Sequence, residues 1–276
     1  MNFKHLLIAV FSVLVFPSLF GQKTTTTTTS SEGLLRGAFP PTTIYNPDPI
    51  VSNPKNPVDY VGQMHNSAVE FLGNKAAWKK APVDTLVSWT DVYVKQMNPR
   101  NSYISHYEKN SDFLGGFIAS TEEKQTEILN TTVLTRKEAI YLKQLLASLE
   151  DPTATDKAAV IGKIKGVEAT ILADASLTQE QRDGLLAHAS VARYSLDFWS
   201  TMVSVNSSLM PSGTDMSALK VSQKIAKADV KGGVAGGYQG GIVGGIVGGP
   251  GGIIPGILGG IATGAILGSI KAALDN

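Results

Sequence analysis

Apolar residues recur at helical spacing along most of this chain, and no run of strand-type alternation interrupts them. Val58, Val61, Met64, Val69 and Leu72 form a first stripe. Asn56 followed by Pro57 gives it a capping residue and a first-turn proline, and the spacing predicts a helix to about Asn74. Pro82 opens a second stripe through Leu86, Trp89, Val92 and Tyr93, which breaks at Asn98-Pro99. Ser120 to Glu123, Thr135 to Glu138 and Thr178 to Gln181 are capping-box patterns. The box at Thr135 introduces Ile140, Leu142, Leu145, Leu146 and Leu149 before Asp151-Pro152 stops the helix. A further helix is expected from about Thr155 to Asp174. The box at Thr178 opens the longest, carrying Leu185, Leu186, Val191, Leu196, Trp199, Met202 and Val203. The expectation is an all-α fold: a bundle-like domain of about five helices over residues 57–210, followed by a C-terminal helical hairpin.

The hairpin has the least ordinary pattern in the chain. Gly232, Gly236, Gly240, Gly244, Gly248, Gly252, Gly256, Gly260, Gly264 and Gly268 stand four apart without a miss, and Gly233 to Gly249 carries a second such ladder. No charged residue lies between Gly232 and Ile270. Glycine costs a helix in water roughly 1 kcal/mol per residue against alanine. Helical spacing kept at that cost implies that the glycines pack, because they let two helix backbones approach closely. Pro250 and Pro255 divide residues 232–276 into two arms, each about 20 residues and so roughly 30 Å long, the thickness of a bilayer core. Val234, Tyr238, Ile242, Val243, Ile246 and Val247 on the first arm are expected to face outward, towards lipid. Ile257, Leu258, Ile261, Ile266, Leu267 and Ile270 do the same on the second. Just before the ladder, in the segment 211–231, Lys220, Lys224, Lys227 and Lys231 mark a short amphipathic helix. With Lys271 they are candidates for a membrane-interface contact; the alternative is a solvated helix face.

The N-terminal end bears on destination. Residues 1–21 read as a secretory signal peptide, with Lys4, the apolar run Leu6 to Phe16, and Gly21 before the cut. Residues 22–56 are rich in threonine and proline and read as a linker or as a strap. Ile44, Tyr45, Ile50 and Val51 are the apolar residues a strap would dock. The chain has 24 basic and 23 acidic residues, and the signal carries one basic residue and no acidic one, so the exported part is neutral. No global field favours nucleic acid as a partner. The absence of cysteine excludes disulfides, thiolate metal sites and a lipidated N-terminal cysteine.

No catalytic constellation is visible. His5, His65, His106 and His188 show no ligand spacing, and no phosphate loop or nucleophile elbow is present. His65 reads as a helix-surface histidine; Glu122, Glu123, Glu127 and Asp156 read as helix-start residues. Trp78, Trp89 and Trp199 read as core or surface aromatics. No enzyme, cofactor or metal is expected.

The stretches Gly232-Gly-Val-Ala-Gly-Gly and Gly240-Gly-Ile-Val-Gly-Gly-Ile-Val-Gly-Gly resemble the glycine-zipper segments of bacterial envelope proteins. They are also similar to the cores of bacteriocin-type peptides. Asn56-Pro-Val-Asp-Tyr-Val-Gly-Gln-Met-His-Asn66 and Ser190-Val-Ala-Arg-Tyr-Ser-Leu-Asp-Phe-Trp199 resemble blocks of uncharacterised secreted bacterial proteins. The resemblance implies close helix packing near a membrane and no particular activity. The expected function is that of an exported, non-enzymatic protein of the cell envelope, in periplasm or outer membrane, or a secreted one. Its hairpin would insert into membrane lipid or self-associate through the glycine ladder. The alternative is a secreted bacteriocin-like membrane-active toxin or its precursor.

Overall fold

The computed structural model describes residues 45–73, 81–82, 85, 88–90, 92–93, 134–205, 216–248 and 250–274. The signal segment, the Thr/Pro-rich run up to residue 44, the capping pattern at Ser120, Trp78 and His106 lie outside the described residues. The chain divides into two units, Met1–Asn46 and Pro47–Asn276, and every helix considered below belongs to the second. The described residues are helical, turn or irregular and include no strand, so the fold is all-α. The helices are α1 (Tyr60–Gly73), α2 (Arg136–Glu150), α3 (Lys157–Ala173), α4 (Gln179–Val205), α5 (Ala218–Gly248) and α6 (Pro250–Leu274).

Local chemistry explains most boundaries. Thr135 accepts from the Glu138 amide while Glu138 returns a bond to the Thr135 amide, a complete capping box that starts α2. Thr178 and Gln181 reciprocate in the same way at the start of α4. Asp156 accepts from the Ala159 amide at 2.8 Å and starts α3. The first helix departs from expectation, beginning at Tyr60 rather than at Pro57. The Asn56 side chain accepts from Val58 in a local turn, and its amide is drawn away to Glu168 (2.7 Å) and the Leu186 carbonyl (2.9 Å). A long-range buried contact thus took the residue that local pattern assigned to capping.

Helix α4 is the axis of the structure. It packs against each of the other five helices. Every residue from Gly184 to Trp199 is buried, more than four turns with no solvent face. One apolar cluster joins Val58, Val61, Leu145, Ile164, Leu186, Val191, Val230, Val234, Ile261 and Ala265, so the hairpin shares the core of the preceding helices. Two sequence expectations are corrected here. The lysine-bearing segment and the first glycine arm are one continuous helix, α5, because no residue between 218 and 248 breaks it. The second arm starts at Pro250 and continues helically through Pro255. A proline at the first helical position loses only an amide that has no intrahelical partner anyway. Pro255 forgoes the hydrogen bond to the Gly251 carbonyl, and the helix continues across it.

Candidate functional site

The site is the seam at which the α5–α6 hairpin closes on itself and on the body. Its first layer is backbone against backbone. A Cβ added to Gly232 would lie 2.2 Å from the Gly264 carbonyl oxygen, and one on Gly236 would lie 2.0 Å from that of Gly260. Reciprocally, a Cβ on Gly260 or Gly264 would lie 2.1 Å from the carbonyl oxygen of Gly236 or Gly232. Gly268 continues the series against the Ala228 carbonyl at 2.5 Å. Each step of four forward on α5 is therefore met by a step of four back on α6, an antiparallel register that only glycine permits. The second ladder faces side chains: Gly233 and Gly237 abut Ile261, at 3.3 and 2.7 Å from an added Cβ. Gly240 also enters the contact, its Cα lying 3.1 Å from a Cβ placed on Gly260. Gly244, Gly248, Gly252 and Gly256 are helical, and their packing lies outside the described residues.

Four of the apolar positions expected to face lipid face protein instead, and the side chains of Tyr238, Ile242, Val243, Ile246, Val247, Leu258 and Ile270 lie outside the description. Val234, Ile261, Ile266 and Leu267 are all buried, because α4 and α1 cover the hairpin. Among the described residues no helix is long and apolar enough to cross a membrane. The lysines are not one exposed row. Lys220 and Lys224 are exposed, Lys227 is half-buried and pairs with Glu150, Lys231 is buried, and Lys271 is half-buried.

The second layer is polar and closes the hairpin on α1 and α4. His65, read from sequence as a surface residue, has no exposed surface. Burial follows from its position on the face of α1 that carries Val61, Ala68, Val69 and Leu72. Its Nε2 lies 3.3 Å from Asp229 Oδ2 on α5 and 3.2 Å from Ser269 Oγ on α6. Ser269 donates to Asp229 Oδ2 at 2.6 Å and accepts from Trp199 Nε1 at 3.2 Å; Ser195 also donates to Asp229. On its other side, His65 Nδ1 meets Asn66 Oδ1 at 3.0 Å, and the Asn66 amide donates to the Tyr194 carbonyl. That last bond fixes the amide so that Oδ1 must accept, which makes Nδ1 a donor. A histidine, an aspartate and serines within hydrogen-bond reach invite comparison with a nucleophilic triad. However, Ser195 and Ser269 bond the carboxylate itself, and all of the groups are buried.

A second buried cluster lies on the opposite side of α4. Arg193 is fully buried and gives one nitrogen to both Asp59 and Glu168, the latter at 2.8 Å. Asn53 and Asn56 complete Glu168, at 2.8 and 2.7 Å. Tyr194 donates to Asp59 at 3.2 Å, and burial raises its phenol above the ordinary tyrosine range. Nearby, Lys165 bonds the Ser52 carbonyl; burial and then the Arg193 charge push its pKa down. Residues 47–59 thus form a strap, with Val51 buried and Ile50 left 37% exposed. An open groove of about 430 Å³ lies between α2 and α3, lined by Gln144, Asp151, Lys163, Gly166 and Thr170 among others. No group of side chains among the described residues has the makings of a metal site.

Sequence reasoning missed both clusters. A signal existed on α4: Ser190, Arg193 and Asp197 share one helical face, and His188, Ser195 and Trp199 another, in a stretch from Gly184 to Trp199 whose other residues are apolar or aromatic. No protein-family model, curated protein or solved structure matches this chain.

Proposed function

We propose that this is an exported, non-enzymatic envelope protein that acts at a membrane, with the α5–α6 hairpin as its membrane-directed element. The observation that carries the reading is the backbone contact along Gly232, Gly236, Gly260, Gly264 and Gly268. Two helices that touch through glycine need no polar side chains to stay together, and these carry no charge from Gly232 to Ile270. Close backbone packing through small residues is what holds helices together within lipid. Insertion is favoured over oligomerisation through the ladder, since those glycine faces are already engaged within one chain. The test is fractionation of cells expressing the untagged chain, followed by an alkaline carbonate wash of the membranes. Retention in the washed pellet supports the reading; recovery wholly in soluble fractions or medium overturns it.

One observation favours a second reading, a secreted bacteriocin-like toxin whose body shields the hairpin: Ile261, Ile266 and Leu267 are covered in the closed structure. That reading expects a peptide spanning 218–276 to release dye from liposomes while the full chain stays quiet. No leakage at any lipid composition would remove it.

A further inference from the structure

Both histidines among the described residues, His65 and His188, lie where the hairpin meets the body. His188 of α4 faces Gly233 of α5, whose added Cβ would stand 3.4 Å from the imidazole ring. Its Nδ1 donates to the Gly184 carbonyl at 2.6 Å. Its Nε2 is buried with no hydrogen-bond partner among the described residues. Burial pushes its pKa down to about 4, against the opposing pull of the Gly184 and Gly233 backbones. The ring is therefore neutral in the closed structure, and a proton on Nε2 would be a charge facing glycine and isoleucine.

The ionisable groups on the surrounding elements offer no relief. On α5, Asp229 and Lys231 flank Gly233 in sequence, and Asp229 is engaged by His65, Ser195 and Ser269. On α6, residues 250–270 carry no charge, and Lys271 lies beyond them. On α4 itself, Arg182 caps α3 through the Asp174 and Leu177 carbonyls, and Asp183 bonds Gln179. On α1, His65 faces Asp229. Asp229 is in turn the group through which α1 and α4 hold α5 and α6. Asp229 Oδ1 already lacks a partner among the described residues.

We propose that His188, sealed between α4 and Gly233 of α5, is an acid-sensitive latch. It holds the hairpin on the body at neutral pH and releases it, still zipped by glycine, when protons enter the seam. Its purpose rests on the membrane reading above, but the opening itself is measured without lipid.

Amide hydrogen exchange on the full chain between pH 7.5 and 4, corrected for intrinsic rates, tests it. Protection of α5 and α6 should fall at least about tenfold further than that of α2 and α3. His188→Gln should move the midpoint down by about one pH unit. In case that variant misfolds, NMR titration of the imidazoles in the unaltered chain is a second readout. His188 must take its proton in the interval where the hairpin opens. Hairpin protection that persists to pH 4, loss of all helices together, or His188 titrating outside that interval would overturn the latch. Vesicles of phosphatidylglycerol and phosphatidylcholine, added at pH 4.5, separate the two ideas. Opening with flotation supports both, while opening without flotation upholds the latch and removes the membrane reading.

Discussion

On one side α4 meets the hairpin, and on the other it meets the strap and α3. The hairpin side depends on absent side chains: Gly236 and Gly260 come so close that each lies against the other's carbonyl. The strap side depends on some of the largest side chains in the protein, with buried Arg193 between Asp59 and Glu168. The hairpin contact gains dispersion over a long backbone surface and leaves no ion to desolvate. The strap contact carries a desolvation cost that its hydrogen bonds must offset, and removing one member exposes that cost. The hairpin is consequently sensitive to added volume and the strap to lost charge. Glycines elsewhere behave differently again: in α3, Gly162 and Gly166 face open space and have no packing reason to be glycine.

The sharpest break in this comparison is Gly236→Leu. A branched side chain cannot enter a gap where even a Cβ meets a carbonyl oxygen at 2.0 Å. The expected loss is about 4 kcal/mol or more, with the hairpin undocked. Urea unfolding would read it, and a wild-type midpoint would mean that the register is wrong. Arg193→Ala should cost about 3 to 4 kcal/mol by stranding Glu168 and Asp59. A double variant, Arg193→Met with Glu168→Leu, should recover much of that loss, and failure to recover would show that volume rather than charge compensation governs the site.

A smaller effect concerns pH. The unfolded chain binds a proton on His188 below about 6.5, while the folded chain resists until about 4. Stability is full above 6.5, declines as pH falls towards 4 and levels below it. The decline is about 3 kcal/mol in size. His188→Gln should flatten that limb of a stability–pH curve; an unchanged limb would assign it to other groups. The smallest effect has the opposite sign. Gly166→Ala should stabilise α3 by about 0.5 to 1 kcal/mol, visible as a raised Tm, because its Cβ meets nothing. A lowered Tm would mean that the added Cβ meets a neighbour after all.

Elements whose limits are set by neighbouring residues were legible. Thr135–Glu138, Asp156, Thr178–Gln181 and Asp151-Pro152 mark boundaries through bonds within a turn of the chain, and the structure uses all of them. Asn56 misled because the same side chain suits a cap and a buried bond to a carboxylate more than a hundred residues away. His65 misled because its nearest charges in sequence are Asp59 and Glu70, whereas its partner Asp229 lies on α5. The lipid-facing assignment of Ile261 and Leu267 read apolar character correctly but had no means of telling lipid from a covering helix.

The sequence by itself determined the helical class, the boundaries with local caps and the requirement that two glycine faces meet. Each follows from period, turn chemistry or the missing Cβ, which act within a few residues. Only the tertiary structure decided that those faces meet within one chain, that α4 covers them, and which distant charges share a buried site. Burial changes the environment of a side chain without changing its identity, so its consequences appear only when the helices are assembled.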